Sequence, residues 1–305
     1  MTRPVDTPNA PRLTAADFPA PVMRLFDQYV HGQIDRRGFL DGASRHAVGG
    51  ATAVGMLAAL APDFAMGQQV KPDDPRIRTE KLVFDSPQGS GRAGGLLARP
   101  ASASGKLPSV LVIHENRGLN PHIEDITRRL AVDGFLAFAP DALFPQGGYP
   151  GDEDLARNMF AGLDQVKTQA DQLAAAAMLK ARSDSNGRLG AVGFCYGGGI
   201  CNLLAVRLPD LVASVPFYGS APPADQVARI KAKMLIHYAG DDPRINDGWP
   251  AYEAALKAAG VKYEAHTYPG TQHGFNNDTT PRYDPAAAKL AWQRTLAHFR
   301  ATLVA

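Results

Sequence analysis

The run Ser109-Val-Leu-Val-Ile-His114 is apolar at nearly every position. A strand with one wet face alternates apolar and polar side chains, so an unbroken run marks a strand covered on both faces, as in a parallel sheet between helices. Around it, strand-like segments at 80–84, 94–98, 135–139, 189–194, 212–218, 234–238 and 263–268 alternate with helical periodicity at 121–133, 152–182, 197–207, 249–259 and 285–303. The 152–182 stretch is long enough to expect a break within it. This alternation predicts an α/β domain with an open, mostly parallel sheet and helices on both faces.

Charge and cysteine content exclude several partners. With 32 basic and 30 acidic side chains the net charge is +2, whereas nucleic-acid binders carry a clear basic excess. Two cysteines cannot build a disulfide framework or a Cys₄ zinc site. Gly89-Ser-Gly91-Arg-Ala-Gly94 spells the dinucleotide pattern G-x-G-x-x-G, but its third glycine opens a β-like run ending at Pro100 rather than a helix. A pyrophosphate needs that helix N-terminus, so the segment reads as a hairpin turn. No metal or organic cofactor is expected.

Gly193-Phe194-Cys195-Tyr196-Gly197 has the G-x-S-x-G form with cysteine at the centre. An apolar strand precedes it and a small-residue helix follows. A sharp strand-to-helix turn requires glycine two positions either side of the nucleophile, and it lifts the sulfur above the strand ends. The helix N-terminus there favours a thiolate, and the Tyr196 N–H can face a developing oxyanion. An inert buried thiol is the blander alternative. Cys201 stands six residues on, about 9 Å along a helix, too far for a disulfide with Cys195, and reads as a small core residue.

A thiol nucleophile needs a base and an orienting acid, which in this chain order follow the nucleophile. The loop Ala239-Gly-Asp241-Asp242-Pro-Arg-Ile245 offers Asp241 or Asp242, and Pro269-Gly-Thr-Gln-His273-Gly-Phe275 offers His273, both at strand carboxyl ends. His114-Glu115-Asn116-Arg117-Gly118 ends an earlier strand. It is not H-E-x-x-H, since glycine fills position 118. The loop after such a strand supplies the second oxyanion amide, here Asn116. Glu115 and Arg117 either pair on the surface or take part in the chemistry.

Residues 1–67 are unlike the rest. They hold six arginines and six aspartates but neither lysine nor glutamate. Arg36-Arg37-Gly-Phe-Leu40 is followed by an uncharged small or apolar run at 47–61 and by the small-x-small pattern Ala65-Met66-Gly67. These are the parts of an export signal of twin-arginine type, which implies a periplasmic protein. The alternative is a cytoplasmic protein whose N-terminal amphipathic extension packs on the domain. Either way the segment is set aside as a leader, and residues 68–305 form the domain. The apolar run falls short of the ~18–20 residues that a membrane span needs, so no stable span is expected.

The G-x-C-x-G turn, the His-Glu-Asn-Arg-Gly segment, the Gly-Asp-Asp-Pro-Arg-Ile loop and His-Gly-Phe occur in order over about residues 80–303 and together resemble the dienelactone hydrolase (carboxymethylenebutenolidase) family. The resemblance implies an α/β-hydrolase fold and hydrolysis of a small-molecule lactone or ester through a Cys-His-Asp triad. It implies Cys195 as nucleophile, His273 as base and Asp242 as acid. Glu115 would hold the resting thiol, and the Tyr196 and Asn116 amides would form the oxyanion hole. Two departures stand out. The family's substrate-gripping arginine four residues past the histidine is Asn277 here, and the loop at 143–146 carries no second arginine. Arg117 is left as a candidate substrate contact. A reading from another class is a non-catalytic binding or redox-sensing protein that uses a low-pKa Cys195.

Overall fold

The structure is a computed structural model that describes residues 12–47 and 50–304. Eight strands form one sheet: β1 Ile77–Ser86, β2 Gly91–Pro100, β3 Leu107–Ile113, β4 Leu136–Asp141, β5 Ser185–Phe194, β6 Ala213–Phe217, β7 Lys233–Asp241 and β8 Tyr263–Gln272. Their order is β1-β2-β4-β3-β5-β6-β7-β8. β2 runs antiparallel to β1 and β4, and the rest of the sheet is parallel. Of the segment Gly89–Gly94, Gly89 lies in the turn at 87–90 between β1 and β2, while Gly91 and Gly94 lie in β2, with Ser86 opposite Gly91 in the left-handed region at φ 80°. The connection is a hairpin turn.

β3 explains the layering. Leu111 and Ile113 point into one apolar cluster, and Val110 and Val112 into another on the opposite face. Four helices cover these clusters in chain order: α5 Pro121–Val132, α7 Gln165–Ala181, α8 Tyr196–Arg207 and α11 Pro285–Leu303. The α7 and α8 side chains pack on the first face, and those of α5 and α11 on the second. After the short α9, Pro243–Asn246, helix α10, Trp249–Ala258, joins the first face through Tyr252 and Leu256. The expected break in 152–182 falls between α6, Glu153–Ala161, and α7, where Asp164 accepts from Val166 N and Lys167 N and so restarts the helix. Several strands run beyond their apolar cores because ladder bonds need no apolar side chain: β5 starts at Ser185, opposite Leu107, and β7 runs on to Asp241, opposite Gln272.

The N-terminal segment is helical where it is described. Residues 1–11 and 48–49 of the leader lie outside the described residues. Helices α1 Ala20–Val30, α2 Arg36–Ser44 and α3 Ala53–Leu60 carry a core of their own, centred on Val22, Phe26, Phe39 and Leu60, and the short α4 Phe64–Gly67 follows. Asp35, Thr52 and Asp63 cap α2, α3 and α4 through first-turn amides. The segment also docks on the domain. Arg157 Nη1 donates to the Tyr29 carbonyl at 2.8 Å, and Asn116 Nδ2 to the Val30 carbonyl at 2.9 Å. Asp63 N donates to the Thr279 carbonyl at 2.7 Å, and Tyr29 Oη donates to Asp154. Among the described residues no helix is long and apolar enough to cross a membrane.

Candidate active site

Cys195 sits between β5 and α8 at φ 56°, one of two non-glycine residues among those described with positive φ. A side chain there is held in a sparsely populated conformation, which persists only where the surroundings fix it. They do: Cys195 N donates to the Phe217 carbonyl at 3.1 Å, and the Cys195 carbonyl accepts from Gly198 N at 3.0 Å. A Cβ on Gly193 would stand 2.2 Å from the Gly197 carbonyl oxygen, and one on Gly197 would stand 2.3 Å from the Ile113 oxygen. The steric reason for both glycines is therefore visible in backbone atoms that cannot move aside. The same closeness brings the end of β3 against the elbow, and Asn116, three residues on, borders the same cavity as Cys195. Tyr196 opens α8, so its amide is among the first-turn N–H groups that lack an intrahelical partner.

His273 follows β8, and its Nδ1 lies 2.6 Å from Asp242 Oδ2. Asp242 is 3% exposed, whereas Asp241, at the end of β7, is exposed. Of the two aspartates the sequence left open, geometry brings Asp242 to the histidine. The Tyr218 ring lies 4.8 Å from that of His273 and limits its rotation. Tyr218 is the other positive-φ residue, at 37°.

A second imidazole enters from a segment set aside as a leader. His31, just past α1, places Nε2 3.5 Å from Cys195 Sγ, and its ring meets that of His273 edge-on at 4.7 Å. Arg244 Nη2 lies 2.9 Å from His31 Nε2 and 3.1 Å from His273 Nδ1. Burial alone would push the Cys195 thiol up, but the His273 and His31 imidazoles outweigh it and bring it down to about 5. Burial likewise opposes a charge on His31, yet its bond to Asp27 and the neighbouring thiolate raise it to about 9. For His273, burial is again outweighed, and the Cys195 charge and the Asp242 bond move it upward.

Glu115 and Arg117 do not form the surface pair that was one alternative. Glu115 Oε2 accepts from Asn277 Nδ2 at 3.0 Å. Arg117 is 6% exposed, with Nη1 donating to Asn116 Oδ1 at 2.7 Å and to the Val30 carbonyl at 3.2 Å, and with Nε 3.6 Å from Glu153. Its burial lowers its pKa. Cys201 is fully buried and its thiol is pushed upward by that burial, as befits a core residue.

Cys195, His273, Glu115, Asn116 and Arg117 border one cavity of about 490 Å³, in the range of small-molecule sites. Its opposite wall comes from the N-terminal segment, through Phe26, Val30, Leu57 and Phe64. His31, Cys195 and His273 offer two nitrogens and a sulfur within 4.8 Å of one another, a donor set that suits a thiophilic cation. The guanidinium of Arg244 touches both imidazoles, however, and its charge opposes a metal ion there. The cluster fits a thiolate better than a metal.

The model of the "Dienelactone hydrolase family" matches residues 93–303. The chain belongs to the dienelactone hydrolase family. The Salmonella typhi "Putative carboxymethylenebutenolidase" is 37% identical over 217 residues, covering 66% of this chain and 80% of the relative. The crystal structure of a "Putative Dienelactone Hydrolase" from Klebsiella pneumoniae subsp. pneumoniae is 32% identical, with TM-score 0.64 over 73% of this chain and 98% of that one. The fold is that of the α/β hydrolases and the chain is a hydrolase. A second family model, "YqhI-like", matches residues 10–49. The solved esterase rPPE, as a mutant in complex with (S)-Ac-CPA, aligns with 97% of this chain and 99% of its own at TM-score 0.61. At 16% identity that likeness speaks to fold alone, and it extends over the N-terminal helices.

Sequence reasoning missed His31, Asp27 and Arg244. A signal was there: Val22, Phe26 and Tyr29 recur at helical spacing, which marks an amphipathic helix packed on something rather than an uninterrupted apolar signal.

Proposed function

We propose that this member of the dienelactone hydrolase family opens a lactone or carboxylic ester through a thioester on Cys195. The observation that carries the reading is a strained thiol within reach of an imidazole that is itself bonded to a buried aspartate, all at the wall of one cavity. Cys195 attacks the carbonyl carbon, and the Tyr196 and Asn116 amides receive the oxyanion. His273, held by Asp242, passes the proton lost by the thiol to the leaving oxygen and then takes one from the water that cleaves the thioester. Loss of one such oxyanion donor costs about 2.7–4 kcal/mol of barrier in other enzymes, so the elbow matters as much as the thiol.

Asn277 is spent on Glu115 and Thr279, which supports a substrate gripped differently from that of the lactonases with two arginines. Arg36, Arg117 and Arg282 border the cavity and are the cations at hand for a substrate carboxylate. The test of the reading is Cys195→Ala with nitrophenyl acetate, where turnover is expected to vanish. Undiminished turnover refutes it, and rapid reversible oxidation of Cys195 without ester turnover in the wild type favours the non-catalytic thiol-sensing alternative.

Two roles are proposed for residues 1–67. Export to the periplasm rests on the arginine pair and the run at 47–61. A resident extension is supported by its packing. Gly67, which ends the small-x-small pattern, is buried with its Cβ position 2.6 Å from Thr279 Cγ2, and its carbonyl accepts from Arg129 Nη2 at 2.9 Å. A route that carries folded proteins accommodates both roles if the leader is retained. N-terminal sequencing of the protein from periplasmic and cytoplasmic fractions decides, and a mature chain beginning near residue 68 sinks the resident extension.

A further inference from the structure

Helix α1 ends at the nucleophile. His31 Nδ1 lies 2.7 Å from the Asp27 carbonyl oxygen and 3.3 Å from Asp27 Oδ1. Both neighbours accept, so Nδ1 carries hydrogen and Nε2 is the nitrogen that faces Sγ, at 3.5 Å, with Arg244 Nη2 beside it at 2.9 Å. This repeats the arrangement of His273, whose Nδ1 is fixed by Asp242. The loop after β3 holds the helix end in place, because Asn116 and Arg117 both donate to the Val30 carbonyl, one residue before His31. Glu115, the residue expected to hold the resting thiol, is turned to Asn277.

We propose that His31, brought in by the N-terminal segment, is the resting partner of Cys195: its Nε2 takes the thiol proton and holds the thiolate as an ion pair. After attack that proton passes by way of His273 to the leaving oxygen, so that His273 is then free to take a proton from the water. The inference rests on the proposed function and adds a second imidazole to it. The step balances within the pair: the S–H bond breaks, the Nε2–H bond forms, and no other reactant or net charge is involved. The groups facing this pair are Asp27 on α1, Arg244 after β7, His273 and Arg282 beyond β8, Glu115 and Arg117 after β3, and Tyr218 after β6. Arg244, near both imidazoles, stabilises the thiolate and competes with the imidazolium. The Asp27 carboxylate balances that cation, at 4.0 Å from Arg244 Nε.

The test is iodoacetamide alkylation of Cys195 in the full-length protein, followed by mass across a pH series, with buried Cys201 as an internal reference. Replacement of the imidazole by an amide (His31→Gln) is expected to raise the alkylation midpoint by about one pH unit or more, which slows the reaction about ten-fold on the acid side. Asp27→Asn, which keeps the imidazole but weakens its charge, moves the midpoint the same way by less. Phe39→Leu disturbs the core of the segment away from the thiol and leaves the midpoint in place. An unchanged midpoint in His31→Gln overturns the proposal. So does an equal shift in Phe39→Leu, because the thiol then answers to packing rather than to the imidazole. Ester turnover surviving in Cys195→Ala removes the hydrolytic reading instead, and leaves the alkylation result standing.

Discussion

His31 and Cys195 are 164 positions apart in the chain and 3.5 Å apart in space, Nε2 to Sγ. A half-buried thiol this close to two imidazoles does not titrate as a free cysteine does.

The first prediction concerns pH. The Cys195 thiol is lowered to about 5 and His31 is raised to about 9. A depressed acid stays ionised as pH falls until its own value is reached, and a raised base stays protonated as pH rises until its own. The ion pair therefore spans about pH 5 to 9, and kcat/KM for an activated ester is expected to plateau across that window. The two limbs belong to the coupled pair rather than to either residue. A pH–rate profile checks this, and an acid limb above about 8, where a free thiol titrates, sinks it.

The second prediction separates two adjacent aspartates. Asp242 is buried against His273 Nδ1, whereas Asp241 is exposed. Asp242→Asn keeps the shape but leaves the ring free to adopt the wrong tautomer, and kcat is expected to fall by about 10²–10⁴-fold. Asp241→Asn is expected to change kcat less than about two-fold. Steady-state kinetics of both variants on one ester measure the contrast, and equal losses contradict the assignment of the acid.

The sheet and the elbow were legible because both are written in local patterns. The run at 109–114 announces a strand buried on two faces, and Gly193 and Gly197 announce a turn without room for Cβ atoms. The contacts of His273 were legible only in outline: chain order points to an aspartate after β7, and the choice of Asp242 depends on which way a short helix after Asp242, Pro243–Asn246, turns its cap. His31 was not legible. Apart from Asp27 on α1, its partners are Cys195, Arg244 and His273, all more than 150 positions away, and no period or motif encodes such a contact. The leader pattern hid it further, because a basic pair before an apolar run looks the same whether the helices are exported or docked.

The third prediction concerns the elbow. A methyl on Gly193 would meet the Gly197 carbonyl, and one on Gly197 would meet the Ile113 carbonyl, at 2.2 and 2.3 Å. Backbone atoms of β3 and α8 cannot rotate away as a side chain does, so the strand and helix must part. Gly193→Ala and Gly197→Ala are each expected to destabilise the domain by about 3 kcal/mol or more, the upper end of overpacking costs. Urea unfolding midpoints measure this. A loss under about 1 kcal/mol shows that the elbow can relax.

The last prediction concerns acid stability where the leader joins the domain. Asp278 accepts from Arg129 Nη2 at 2.6 Å and from Gln69 Nε2 at 2.7 Å, with His122 Nδ1 at 3.2 Å. Burial would raise its carboxyl, but the His122 and Arg129 charges and the Gln69 bond prevail and hold it at about 2. A carboxyl depressed by folding contributes stability above its unfolded value, near 3.9, and loses that contribution as pH falls through the folded value. The window is therefore about pH 4 down to about pH 2, and the loss from this group is about 2 kcal/mol. Asp27, also depressed, adds a loss of the same sign that begins in the same range and continues to lower pH. Asp278→Asn lowers stability at pH 7 and flattens the decline between pH 4 and 2, because an amide neither balances Arg129 nor titrates. Urea unfolding of the two proteins across that range measures the difference, and parallel curves show that Asp278 carries no linked proton.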